Sequence, residues 1–527
     1  MRINEKIYQA YLEELQRLES FKASHMELFA DTPLETEDPN TKRLMEALAF
    51  VGARARMQGV QRISQIHQRL FRQYFPYLVN PLPAFGLVQI KPSIRFPEKV
   101  VLPAGAEIVV KTLNENKAFF QILDPLTVFP IFLQKTSFER REEGGYRFLL
   151  EFGSPHICTD EIGSLKLYIN HLNSFFSSLR VFFALHRSLE NIKVFYDRQD
   201  GGEGVECTVS FGFNGEERVI LNHEIEQIRS LLHCPQQELF LTLHIPPRGK
   251  RWQKLFVVFE MSEKWPDSIK LNDDSLLPFI VPIINLRKGY ADPVICDGTK
   301  DQYLLIHPDS NHRFELHTVL QVAELLSQGS KPLMPGILGT GDRAYEVDYF
   351  NEQLLLNLPD AFEDPKTITI LALWSQPWFS DYINADMELQ FSEAQMFGLE
   401  AKLFGALHRN EKPLDDDPNF LLRILSLKNQ NFLSLNEIYF ILHAMKRLDQ
   451  SVFMDVQGWI REVKVHQKMI QKNFSSIIEY EFFLSDWGGQ KWEMVVMFFY
   501  YLNRILNAWL PNFEIESKIH FPQAKKP

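Results

Sequence analysis

The acidic triplet Asp415–Asp417 is the densest set of oxygen ligands in the 527-residue chain. Adjacent carboxylates are the residue type that holds a hard cation. The triplet also precedes an apolar run that starts near Asn419, and there it has a plainer role: a solvated loop whose charge favours a helix N-terminus. His307, His312 and His317 fall close together, and Asp297 and Asp301 bracket a DGTKD turn upstream. A metal or hydrolytic site would need these groups to converge in space. Gly336, Gly339 and Gly341 lack the order of a dinucleotide loop and read as a flexible turn. No phosphate-cradling GxxxxGK[ST], zinc-binding HExxH or nucleophile-elbow GxSxG occurs. The cysteines at 158, 207, 234 and 296 form no CxxC pair and are too sparse for a disulfide scaffold, which points to a reducing compartment. The expectation is a protein that is not an enzyme, with no cofactor and no metal. The alternative is a hydrolase or metal-dependent enzyme whose residues are dispersed. A carbohydrate-binding β module, invited by Trp374 and Trp378, is a third reading.

Bulk properties narrow the class. Apolar residues make up 45% and charged residues 23%, a globular balance. The length implies two to four domains, because single cores stop growing at roughly 250–300 residues. A net charge of -11 argues against a nucleic-acid binder, which needs cations to displace counterions. The basic run at Arg248, Lys250 and Arg251 is short and reads as a solvated loop. The charged N-terminus is not a signal peptide. The longest apolar run, Met494–Leu502, is too short to span a bilayer, so no direct membrane insertion is expected.

The elements that would carry these residues follow from periodicity. Residues 1–80 read as helical, with Leu12, Leu15 and Leu18 on one face of a first helix. A second helix begins near Asn40 or Thr41 and carries Leu44, Leu48, Val51 and Ala55 on one face. A third piece runs from Ser64 to Tyr74. Past Pro81 and Pro83 the period alternates, giving short strands and a strand–helix–strand unit at Leu165–Ile169, Leu172–Leu189 and Ile192–Tyr196. Residues 205–390 stay strand-like, with an exposed loop over Gln328–Asp342. Helices then recur at Leu421–Leu427, Asn436–Leu448 and Lys491–Leu510, the last with Val495, Phe499, Leu502, Leu506 and Trp509 on one face. The expected fold class is α+β and multidomain: a helical region over 1–80, a β-rich domain over 81–290, a second over 291–390, and an α+β region over 391–527.

Several segments carry a family resemblance. DPNTKRLMEALAFVGARAR (Asp38–Arg56) and AYLEELQRLESF (Ala10–Phe21) resemble the opening of the TssF family, also called ImpG or VasA. YFPYLVNPLPAFGLVQIKP (Tyr74–Pro92), LPAGAEI (Leu102–Ile108), SLKLYIN (Ser164–Asn170), FIVPIINL with ADPV (Phe279–Val294) and LLRILSLKNQNFLSLNEI (Leu421–Ile438) are similar to its later blocks, in the same order. Phe279 and Ile280 stand where the family reads Cys-Thr. The resemblance implies a structural wedge subunit of a bacterial type VI secretion baseplate. It implies partners too: a second copy, a TssG-like subunit, the small wedge protein TssE, the adaptor TssK and the spike hub. It implies a cytoplasmic location, docked at the inner-membrane face through other subunits, and a role in priming sheath and tube assembly. Three short helices bury little surface, so Leu12, Leu15, Leu18, Leu44, Leu48 and Val51 are the expected partner interface.

Overall fold

A computed structural model describes residues 5–521. It omits the segments 26–38, 198–203, 213–220, 337–342, 393–397, 412–417, 446–452, 470–475 and 486–490, and the positions 97, 143, 160, 222, 248, 250, 350 and 384. The chain divides into two compact units, Met1–Val79 with Asp415–Asn429, and Asn80–Leu414 with Gln430–Pro527.

The smaller unit is helical: α1 (Glu5–His25), α2 (Pro39–Tyr74), α3 (Pro76–Val79) and, from the distant insertion, the helix Pro418–Lys428. The expected break near Ser64 does not occur. Only Gly59 interrupts a run of helix-compatible residues there, and one glycine costs about 1 kcal/mol without ending a helix. Pro39 starts α2, where its missing N–H is not needed.

The larger unit is a set of sheets. Six antiparallel strands run in the order Met387–Phe391, Glu107–Thr112, Lys117–Ile122, Ile280–Ile284, Phe85–Pro92, Leu399–His408. Ile280–Ile284 is buried at every position, as expected of a central strand that reads as one apolar run. Glu107–Thr112 alternates and buries Ile108, Val110 and Thr112. A five-stranded sheet is built around Trp252–Met261, with Leu189–Tyr196 on one side and Tyr146–Cys158 on the other. A four-stranded sheet is built around Phe240–His244 and Ser164–Ile169.

The helix expected after residue 170 forms as α4 (Phe175–Ser188), capped by Ser174. Its flanking strands Ser164–Ile169 and Leu189–Tyr196 pair in different sheets, so they are not a strand–helix–strand unit. Sequence adjacency could not show which partner each strand takes. A parallel crossover does form near the C-terminus, where Ser476–Leu484 pairs in parallel with Glu514–His520. Their connection carries the helix Trp492–Trp509, on which Val495, Phe499, Leu502, Leu506 and Trp509 are all buried. The apolar run Met494–Leu502 is thus core, and among the described residues no helix is long and apolar enough to cross a membrane.

Two more corrections concern 205–390. Glu224–His233 is a helix, α5, with Ile225, Ile228, Leu231 and Leu232 buried at helical spacing. The expected loop at Gln328–Asp342 holds Ser330–Pro332, paired with Glu315–Leu325, and Met334–Pro335, parallel to Ala344–Asp348; residues 337–342 lie outside the described residues. The strands at 286–375 form two sheets that share one apolar cluster, including Leu305, Leu354, Ile368, Ile370 and Trp374.

Candidate functional site

Among the described residues, those nominated for chemistry do not converge on a reaction centre. Asp297 accepts hydrogen bonds from the Thr299 amide and hydroxyl at 3.0 and 2.7 Å, a side-chain turn. His312 pairs through Nδ1 with Asp309 at 2.6 Å, and His307 accepts from the Asp309 amide at 3.0 Å while its ring packs against Phe314 and Trp374. Trp374 is a core residue, 1% exposed. Among the described residues no group of three His, Cys, Asp or Glu side chains could hold a metal ion. Asp415–Asp417, Gly339 and Gly341 lie outside the described residues, as do Arg248 and Lys250. All four cysteines are free thiols.

His317, the third histidine, belongs to a buried polar knot that no sequence motif announces. Arg229 on α5 forms an ion pair with Glu411, both side chains 2% exposed. Arg229 Nη1 also donates to the Asn80 carbonyl at 3.1 Å. The Glu411 carboxylate accepts from the Leu82 amide at 2.9 Å, and the Glu411 amide donates to the Leu82 carbonyl at 2.7 Å. Asn80 Nδ2 donates to Thr318 Oγ1 at 2.8 Å. The Thr318 hydroxyl then donates to His317 Nδ1 at 2.9 Å, which leaves His317 Nε2–H to donate to the Pro81 carbonyl at 3.0 Å. Burial lowers Arg229 to about 10, against the raising effect of Glu226, so it stays cationic at neutral pH. Burial, with the Arg229 charge beside it, pushes His317 down to about 4, so its ring stays neutral.

The knot lies wholly inside the larger unit. It grips Asn80–Leu82 and Glu411, the ends of that unit next to the chain crossings after Val79 and Leu414. The residues are up to 331 positions apart (411 − 80), so the sequence offered only isolated polar residues in apolar surroundings.

The nominated partner residues all lie on the helical unit. The α1–α2 hairpin is held by small residues and exposed ion pairs. A Cβ on Gly52 would meet the Glu14 side chain at 3.2 Å, and Arg56 reaches Glu13 at 3.3 Å and Glu14 at 3.6 Å. Ala49, Gly52, Ala53 and Arg56 therefore form the face of α2 turned to α1. Exposed pairs of this kind contribute about 0–1 kcal/mol, so the close approach of small residues does most of the positioning. Leu44, Leu48 and Val51 fall on another face and are 62%, 54% and 63% exposed. Leu12 is exposed on α1, whereas Leu15 and Leu18 are half-buried. With Ala55, the α2 residues make an exposed apolar stripe about 17 Å long at ~1.5 Å per residue. Val60, Ile63 and Ile66 add further exposed apolar surface.

A family model described as "Type VI secretion system, TssF" matches residues 4–346. The type VI secretion system component TssF1 of Pseudomonas aeruginosa is 21% identical over 380 residues, 63% of this chain. The match spans 60% of that relative's length. In fold, the chain is similar to a chain of the TssK-TssF-TssG baseplate subcomplex solved by cryo-electron microscopy, with a TM-score of 0.69 and 16% identity over 92% of this chain and 99% of that one. It is also similar to a chain of the type VI secretion baseplate complex, with a TM-score of 0.57 and 16% identity over 98% and 97% of the two chains.

Proposed function

The chain belongs to the TssF family of the type VI secretion system, and from that membership we propose that it is a structural wedge subunit of a bacterial baseplate. The observation that carries the reading is the Leu44/Leu48/Val51 stripe. A folded helical hairpin that leaves such a stripe in water has a surface suited to a partner, because exposed contiguous apolar patches mark interaction sites. A complementary helix laid on the stripe would remove it from water, at about 25 cal/mol per Å² of apolar area.

The occupants we assign are helices of a second copy and of a TssG-like subunit. TssG and TssK are the named companions of TssF in the matched subcomplex. A TssK-like adaptor, a TssE-like wedge protein and the spike hub complete our assignment. On this reading the protein acts by holding neighbours in place in the cytoplasm, at the inner-membrane face, and by priming sheath and tube assembly. Its action is mechanical rather than catalytic. The changes between loaded and fired states would be repackings of interfaces with two stable arrangements.

The test is co-purification of L44D/L48D with its TssG-like partner. Two exposed leucines become aspartates, so the hairpin itself should stay folded by circular dichroism. Complex recovery should fall at least tenfold. Undiminished recovery would overturn the assignment of this stripe.

A further inference from the structure

The larger unit holds a polar cleft of about 470 Å³ that the assembly reading does not use. It is lined by Lys111, Glu115, Asn116 and Lys117 of one β-hairpin, by Asn311, His312 and Arg313 of a turn, and by Trp378 and Tyr382 of a short 3-10 helix. We propose that this cleft is a docking site for an acidic segment, bearing an aromatic or apolar side chain, of a partner protein.

The cleft is built around one buried amide. Gln376 is 1% exposed. Its Oε1 accepts from the Phe119 amide at 2.8 Å, and its Nε2 donates to the His312 carbonyl at 2.9 Å and the Lys117 carbonyl at 3.3 Å. Asn285 completes the lattice: its Oδ1 accepts from the Gln376 amide, and its Nδ2 donates to the Phe119 carbonyl, both at 2.9 Å. The hairpin wall and the turn wall are thus tied to the residue that immediately precedes the 3-10 helix Pro377–Tyr382. The indole N–H of Trp378 closes the ring by donating to the Arg313 carbonyl at 3.2 Å. Arg313 sits at φ +48, a strained conformation for a non-glycine residue, which persists because the Asp309 side chain, Trp378 and Gln376 hold the turn on either side. A site fixed this way loses little freedom on binding.

Its charge is the second argument. Lys111 lies 3.8 Å from Glu115. Lys117 and Arg313 are exposed, and among the described residues neither has a carboxylate at ion-pair distance. Arg287, behind the cleft, is already satisfied by Glu107 at 2.8 Å and by the Phe119 ring. Two unpaired cations thus stand beside an aromatic pair 6.0 Å apart, and Glu115 offsets only the Lys111 side of the cleft. Carboxylates suit the cations, and the Trp378–Tyr382 wall suits an apolar side chain. A nucleic acid is disfavoured, because two or three cations cannot offset the repulsion of a strongly acidic molecule. The choice of a protein occupant rests on the assembly reading.

The experiment uses the full chain and a fluorescein-labelled hexapeptide of alternating aspartate and phenylalanine, read by anisotropy. The control peptide has asparagine for aspartate, and inorganic phosphate is the competitor. The acidic peptide should bind at least tenfold tighter than the control, lose tenfold or more on K117E/R313E, lose severalfold on W378A, and weaken with salt. K117Q/R313Q serves if the charge reversal unfolds the chain. Equal binding of both peptides, indifference to both double substitutions, or displacement by phosphate as effective as by unlabelled peptide would each overturn the proposal. Failure here leaves co-purification through Leu44 and Leu48 unaffected, so the two readings fall separately.

Discussion

The Arg229–Glu411 pair makes a prediction whose size follows from its surroundings. Both side chains are 2% exposed, and Glu411 also holds the Leu82 amide. Glu411→Gln keeps an acceptor for that amide but removes the carboxylate paired with the guanidinium, leaving it only the attraction of Glu226. Arg229→Met fills similar volume but leaves a buried carboxylate unpaired. Breaking a buried pair from one side costs about 3–5 kcal/mol, mostly as the penalty of the orphaned charge. Each single variant should therefore lose about 3–5 kcal/mol at pH 7. The double variant removes both charges of the pair and keeps the Leu82 bond; it leaves Glu226 without the Arg229 charge, as Arg229→Met already does, so it should lose no more than that single variant. The assay is urea unfolding of the four proteins at one pH, followed by tryptophan fluorescence, with the coupling read as the departure from additivity. Additive losses in the double variant, or single losses under about 1 kcal/mol, would refute the claim that this pair acts as one buried unit.

Other outcomes follow from single positions. His317 has a folded pKa of about 4 against 6.5 for the free side chain, so between those values the unfolded chain binds more protons and stability rises with pH. Acidification from pH 7 to pH 5 should cost about 2 kcal/mol through this group. His317→Gln, which can keep both hydrogen bonds, should flatten that part of the melting-temperature profile, and an unchanged profile would contradict the buried neutral ring. Glu479 lies between Lys468 and Lys518, each at 2.6 Å, and bonds to the two ammonium groups lower its pKa to about 2. Its contribution is present above the ordinary carboxylate value of about 4.5 and is lost as pH falls toward 2; Glu479→Gln should be less acid-sensitive than the parent in the same scan. Trp374→Ala, in the cluster shared by two sheets, should cost about 3–5 kcal/mol in denaturant, and a loss under about 1 kcal/mol would show that the site collapses around the cavity.

Local periodicity and the ordered family segments were sufficient to read the α+β class, the helical start, the shared helix face of Val495, Phe499, Leu502, Leu506 and Trp509, and membership of the TssF family. Each of these depends on residues a few positions apart or on the order of segments along the chain, and a sequence records both. The exposure of Leu44, Leu48 and Val51 was suggested by their spacing, but spacing shows only that they share a face. It was the packing of α1 against Gly52 and Arg56 that turned that face outward. The partners of strands Ser164–Ile169 and Leu189–Tyr196, the Arg229–Glu411 knot and the Gln376-centred cleft were decided by tertiary structure alone. They join residues between 64 and 331 positions apart (376 − 312; 411 − 80), or depend on which sheet a strand enters. Burial gives a lone arginine or glutamine its meaning there, because only out of water must each polar atom find its partner inside the protein.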